Sequence, residues 1–168
     1  VIYTSPIKAL SNQKYRDLEE EFKHFGLMTG DMTINPNATC LIMTTEILCN
    51  HLHNLRHPDS KLEFNIDMHT ELGCVVFDEV HYIGDSHRGR VWEETLILLP
   101  PKIQLVMLSA TIEKPEIFAK WVADVKDIPV SLAVNEKRIV PLKYYLYTSF
   151  LPKLEKLNKT EEEETNIN

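Results

Sequence analysis

A chain of 168 residues with 43% apolar and 26% charged side chains has the size and composition of one ordinary globular domain. No window approaches the roughly 18 apolar residues of a membrane span, and the formal net charge of −7, four of whose negative charges come from Glu161 to Glu164, excludes a broad basic face for nucleic acid. A grip on a nucleic-acid backbone through a few loop amides and hydroxyls stays open. The chain starts at Val1 inside a strand-like run, with no signal peptide, and reads as cut from something longer. Cys40, Cys49 and Cys74 form no CxxC pair and read as free thiols of a reducing, intracellular compartment, nucleus or cytoplasm being left open.

Apolar periodicity gives alternating strands and helices in chain order. Residues 1–5 (VIYTS) predict a strand. Residues 6–25 predict a helix with Leu10, Leu18, Phe22 and Phe25 close to one face. GLMTG (26–30) predicts a short strand and DMTINPNAT (31–39) a turn marked by Asn and Pro. CLIMTT (40–45) predicts a strand and EILCNHLHNL (46–55) a helix; residues 56–71 are polar and irregular and predict a surface insertion. LGCVVFDEV (72–80) is almost continuously apolar, as in the middle of a parallel sheet covered on both faces. RVWEETLILL (90–99) predicts a helix, IQLVMLSA (103–110) a second central strand, PEIFAKWVAD (115–124) a helix with its proline early, and PVSLAV (129–134) a last strand. Residues 148–168, which include the acidic run, predict a disordered linker. The fold class that follows is α/β, a three-layer domain with a mostly parallel sheet.

Ligands in such sheets bind beyond the carboxyl ends of the strands. Thr4 and Ser5, Thr29 to Asp31, Thr44 and Thr45, Asp78 and Glu79, and Ser109 to Thr111 stand there, nearly all hydroxyls and carboxylates. Asp78, ending an apolar strand, can hold Mg²⁺ directly or through water. Glu79 points elsewhere and can orient or deprotonate a water for in-line attack on a phosphoryl group. A charged turn after a buried strand is the plainer account of the pair. Ser109, Ala110 and Thr111 can link neighbouring loops, or simply cap the next helix. TSPIKALSNQKYR (4–16) opens a helix after a strand, where Thr4, Ser5, the first helical N–H groups and Lys8 suit a nucleic-acid phosphate, unless it is only a capped amphipathic helix. TTEIL (44–48) repeats that design.

Three other patterns carry less. Gly84 and Gly89 stand at phosphate-loop separation, but Arg90 and Val91 follow where Lys and Ser/Thr are needed, and no GxxxxGK[ST] occurs in the chain. His51 and His53 fall on different helix faces, and with His57 they show no arranged Cys or carboxylate partner, so a metal site is set aside. Asn37 and Asn158 match the glycosylation pattern in a chain with nothing secretory about it.

Taken in order, TSPIKALSNQKYR, GLMTGDMTINP, TTEIL, DEVH (78–81), RGRVWEETLILLP, SAT (109–111) and KRIVPLKYYLY resemble the motifs of superfamily 2 DExH-box RNA helicases, of the exosome-associated superkiller and nuclear RNA surveillance type. The resemblance covers residues 1–147 and implies a RecA-like motor domain using ATP and Mg²⁺. It implies that Asp78 coordinates Mg²⁺ of ATP, that Glu79 positions the attacking water, and that His81, Ser109, Ala110 and Thr111 couple nucleotide to RNA. It implies RNA-backbone contacts at Thr4, Ser5, Pro6, Lys8, Gly30, Asp31, Thr44, Thr45 and Glu46. Single-stranded 3′ tails and duplexes, exosome cofactors and no membrane are the implied partners. The resemblance places the phosphate loop before Val1 and the second RecA-like domain beyond residue 168. The chain is then a piece, expected to be inactive alone. A catalytically dead nucleic-acid-binding or scaffold domain, and a DNA-unwinding or spliceosomal relative, are the alternatives.

Overall fold

The computed structural model describes residues 1–55, 66–68, 70–135 and 140–146. One compact unit runs from Val1 to Leu132, and a second begins at Ala133. The first unit contains β1 (Ile2–Ser5), α1 (Lys8–Glu21), β2 (Phe25–Thr29), β3 (Met32–Ile34), β4 (Cys40–Thr44), α2 (Thr45–Asn54), β5 (Cys74–Phe77), α3 (Gly89–Leu98), β6 (Gln104–Met107) and α4 (Pro115–Lys126). A 3-10 turn, Val80–Gly84, follows β5. The strands form one sheet in the order β3-β2-β4-β1-β5-β6, parallel except for the β2–β3 hairpin. The α/β class with a mostly parallel sheet is therefore present as expected.

Burial explains why these segments form these elements. Ile2, Leu41, Ile42, Met43, Val75 and Phe77 are fully or almost fully buried, so the central strands β4, β1 and β5 are apolar toward both layers. α2 and α3 turn Leu48, Leu52, Trp92, Leu96 and Leu99 into the larger core, while Tyr15 of α1 packs with Leu27 and Ile42 on the opposite face. Helices on both faces make three layers.

Five expectations need correction. The helix expected over 6–25 runs only from Lys8 to Glu21, and Phe25 opens β2 instead of lying on the helix face. Part of the predicted turn 31–39 is the antiparallel strand β3, with Leu27 opposite Ile34. Asn35 reverses the chain there at φ 45°, a conformation that Asn tolerates better than most residues. Gly26 is required beside it, because a Cβ would meet Asn35 O at 2.2 Å. Strand β6, read as central, is an edge strand among the described residues, pairing only with β5. Its side chains are less buried than those of β5, as an edge position implies. Residues 129–134 form no strand. From the expected surface segment 56–71, Met68 is buried in the main core and Ile66 packs against it; residues 56–65 and 69 lie outside the described residues. So do residues 147–168, which include the predicted acidic linker. No helix among the described residues is long and apolar enough to cross a membrane.

Candidate nucleotide and nucleic-acid site

The strand exits of β1, β4, β5 and β6 fall along one edge of the parallel sheet, and that edge gathers the polar residues singled out above. At the exit of β5, the Asp78 N–H donates to Thr4 O at 2.9 Å, which fixes the backbone against β1. The Asp78 carboxylate accepts on both oxygens. Oδ2 takes the Tyr3 hydroxyl at 2.5 Å and Oδ1 takes the Glu79 N–H at 3.0 Å. Burial, then the hydrogen bond to Asp78, push the Tyr3 phenol well above its usual range.

Glu79 adopts the left-handed conformation, φ 52° and ψ 44°. A non-glycine residue held there costs of order 1–3 kcal/mol and persists only where its surroundings dictate it. Two sets of bonds do so. Glu79 O accepts the Tyr82 N–H at 3.1 Å, opening the 3-10 turn, and the Val80 N–H donates to Leu108 O at 2.9 Å. Gly89 closes the turn from the other side, since a Cβ would stand 2.2 Å from Ile83 O. Tyr82 stacks on the fully buried Trp92 with ring centroids 6.0 Å apart. The strained turn therefore rests on a packed floor.

His81 Nδ1 lies 3.3 Å from Glu79 Oε2 and 3.4 Å from Ser109 Oγ. The structure thus brings Asp78, Glu79, His81 and Ser109 into one cluster. Ala110 and Thr111 follow Ser109, all three exposed. Thr111 lines a cavity of about 580 Å³ with His81, Ile83, Lys114, Ile117 and Phe118.

The hydroxyls of the exits of β1 and β4 are placed differently. Thr4, Ser5, Thr44 and Thr45 are all buried. Thr4 Oγ1 donates to Val76 O at 3.2 Å, Ser5 Oγ pairs with Ser11 Oγ at 2.6 Å, and Thr45 Oγ1 donates to Ser5 O at 3.5 Å. These side chains knit neighbouring strand exits together and do not face solvent. Pro6 is also buried, and its carbonyl accepts Arg88 Nη1 at 3.1 Å. What the two exits present instead is backbone: neither α1 nor α2 has a side-chain cap on its first N–H groups. Lys8 is exposed and pairs with Asp31 at 2.6 Å, its ammonium lying over Gly30. Glu46 stands partly exposed in the first turn of α2.

Two residues of this region went unmarked in the sequence. Tyr3 reads there as one more apolar strand residue; the signal would have been a phenol two positions before the end of a strand whose neighbour ends in Asp78. Arg88, inside the discarded GDSHRGR stretch, ties the start of α3 to the β1–α1 loop.

Residues 1–118 match the family model for the DEAD/DEAH box helicase. The chain is 51% identical over 149 residues to "ATP-dependent RNA helicase mtr4" of Schizosaccharomyces pombe, covering 89% of this chain and 12% of that protein. It is 47% identical over 152 residues to "Superkiller complex protein 2" of Mus musculus, covering 90% of this chain and 11% of that protein. The chain thus spans about an eighth of the length of the curated relatives it matches. Among solved structures, the helicase Lhr of Mycobacterium smegmatis bound to ssDNA and AMP-PNP superposes with a TM-score of 0.53 at 25% identity, over 71% of this chain and 18% of that one.

Proposed function

The chain belongs to the DEAD/DEAH box helicase family, and from that membership we propose that it is part of the ATP-binding motor domain of a 3′-to-5′ RNA helicase acting in exosome-linked RNA processing or decay. The observation that carries this reading is the cluster at the exits of β5 and β6, where His81 Nδ1 lies within 3.4 Å of both the Glu79 carboxylate and the Ser109 hydroxyl. The names of the relatives, exosome RNA helicase and superkiller complex protein among them, supply the RNA and exosome association.

A lone carboxylate at a sheet's carboxyl edge is a hard oxygen donor of the kind Mg²⁺ takes beside phosphate oxygens, so Asp78 fits the metal of an ATP complex. When bound, that complex supplies the phosphoryl group and neutralises its charge. Asp78 is held for this by Tyr3 and by the Glu79 amide. Glu79, turned away by its left-handed backbone, orients the attacking water and takes its proton. His81 touches Glu79 and Ser109 together, so a shift at one reaches the other without new contacts. The uncapped N-termini of α1 and α2 present N–H donors to backbone phosphates. Lys8, Gly30 and Asp31 make the exposed flank of that track, and Glu46 lies at its other helix. Because the hydroxyls of Thr4, Ser5 and Thr45 are bonded internally and Thr44 is buried, these side chains shape the track while the backbone touches it. Such contacts carry little sequence information, which suits an enzyme that moves along any RNA. Single-stranded 3′ tails and duplexes are the substrate forms this reading assigns. The free thiols of Cys40, Cys49 and Cys74 support an intracellular setting.

The chain carries no GxxxxGK[ST], so the isolated 168 residues are expected to show no RNA-stimulated ATP turnover. In the parent enzyme, Glu79→Gln is expected to lower that turnover by about 10²–10⁴-fold, the range for loss of a general base. Turnover by the isolated chain that disappears with Glu79→Gln would overturn the assignment of this chain as a dependent piece. An unimpaired parent variant would remove Glu79 from the chemistry.

A further inference from the structure

We propose that Cys49, His53 and Glu94 form a binding site for one zinc-class divalent cation, which pins α2 to α3. The inference stands apart from the helicase reading, because none of the three residues belongs to the strand-exit cluster.

Cys49 and His53 are four residues apart on α2 and so share a face one turn apart. Glu94 faces them from α3. The histidine pattern looked metal-free in the sequence because neither a Cys nor a carboxylate was visibly arranged with it; the fold supplies both. His53 Nε2 lies 3.2 Å from Glu94 Oε2, and Cys49 Sγ lies 3.9 Å from the same oxygen. All three ligand atoms fall within 4.8 Å of one another. Around a tetrahedral ion with bonds of about 2.0–2.3 Å, neighbouring ligand atoms stand roughly 3.3–3.8 Å apart. The two contacts to Glu94 are already at about that spacing. The third edge closes by turning His53, whose side chain is about half exposed.

The donor set selects the ion. Thiolate, imidazole and carboxylate together suit Zn²⁺ and its neighbours, whereas Mg²⁺ and Ca²⁺ take oxygen ligands. On binding, Cys49 releases its proton to solvent and coordinates as the thiolate. Its residue is 4% exposed, so the metal–sulfur bond forms on the sheltered side of the site. Glu94 uses its other oxygen, Oε1, to accept Arg90 Nε at 2.6 Å, which orients the carboxylate and leaves Oε2 turned toward α2. Arg90 is 85% exposed, so its opposing charge is largely screened. Burial first, and then the negative charge of Glu94 and Glu46, hold the Cys49 thiol above its usual range, so the ion must displace a proton from it. With three protein ligands, a fourth position remains for water. Without an ion, His53 pairs with Glu94 Oε2 and the Cys49 S–H donates to the same oxygen, so the three side chains already converge on one point.

The test is a titration of the full, thiol-reduced 168-residue chain with Co²⁺, followed by displacement with Zn²⁺. One Co²⁺ per chain is expected, with a thiolate-to-cobalt charge-transfer band and the intense visible bands of a tetrahedral ion. Cys49→Ser should abolish the charge-transfer band, while Cys40→Ser and Cys74→Ser should leave it. His53→Gln and Glu94→Gln should each weaken Zn²⁺ binding at least about tenfold. Absence of the band at stoichiometric cobalt, or a band that survives Cys49→Ser, overturns the proposal. Should the buried Cys49 variant fail to fold, the exposed His53→Gln variant decides alone: a cobalt spectrum and zinc affinity equal to those of the unaltered chain overturn the site.

Discussion

The exits of β5 and β6 lie side by side and are built on opposite principles. At β5, both carboxylate oxygens of Asp78 are occupied, the next residue is locked left-handed, and Trp92 and Gly89 close the turn from below and behind. At β6, Ser109, Ala110 and Thr111 are exposed, and Ser109 reaches His81 at 3.4 Å. A group that must stand within about 0.5 Å of a reacting centre is held by the chain's own packing. A segment that must respond to a neighbour is left lightly held. One strand separates preorganisation from compliance.

That contrast can be broken or sharpened by substitution. Trp92→Ala should have the largest effect, about 3–5 kcal/mol of unfolding free energy, because it removes the fully buried floor beneath the turn. Urea denaturation measures it, and a loss below about 1 kcal/mol would mean that the turn is held from elsewhere. Tyr3→Phe should cost about 1–2 kcal/mol, near the lower end for a hydrogen bond to a charged group, since Tyr3 is only half-buried. The same denaturation experiment checks it, and no change would mean that Asp78 needs no phenol.

Lys126, which ties the end of α4 to the end of α3 away from both exits, gives a pH-dependent effect to set beside them. It is 5% exposed, donates to Leu99 O at 2.6 Å, and burial depresses its ammonium below the usual lysine range. The unfolded chain therefore binds this proton more tightly than the folded one. Stability contributed by the group rises with pH from the depressed value up to the ordinary 10.5 and falls as pH drops again. Lys126→Met should flatten that rise relative to the unaltered chain, as read from urea midpoints between neutral pH and 10.5. An unchanged slope would mean that the ammonium is solvated in the fold. Ser109→Ala should have the smallest effect, within about 0.5 kcal/mol, because the residue is exposed. A larger loss would show that the β6 exit is as firmly built as the β5 exit, and the contrast would fail.

Much of this was legible in one sequence. The alternation of strands and helices, and the polar residues at their exits, follow from apolar runs that end abruptly, as VVF does at Asp78. The hairpin strand β3 was hidden because three residues beside Asn35 and Pro36 carry more turn signal than strand signal. The edge position of β6 was hidden because an apolar run reports burial, not which neighbour supplies it. The fate of the hydroxyls was hidden for a similar reason: Thr45 is spent on Ser5, forty positions away. No local pattern holds that partner. Tyr3 with Asp78, and Cys49 and His53 with Glu94, are likewise pairings made only by the fold.

The place of β1 has a consequence for how the protein is made. β1 lies between β4 and β5 in the sheet, yet both of these neighbours follow it in the chain. Tyr3 and Asp78, which meet beside it, are 75 residues apart. At about 5–20 residues per second, a ribosome leaves β1 without its second neighbour for roughly 4–15 s. Parallel pairing over such a separation is also intrinsically slow to form. Through that interval Ile2 and Tyr3 have no complete sheet to enter.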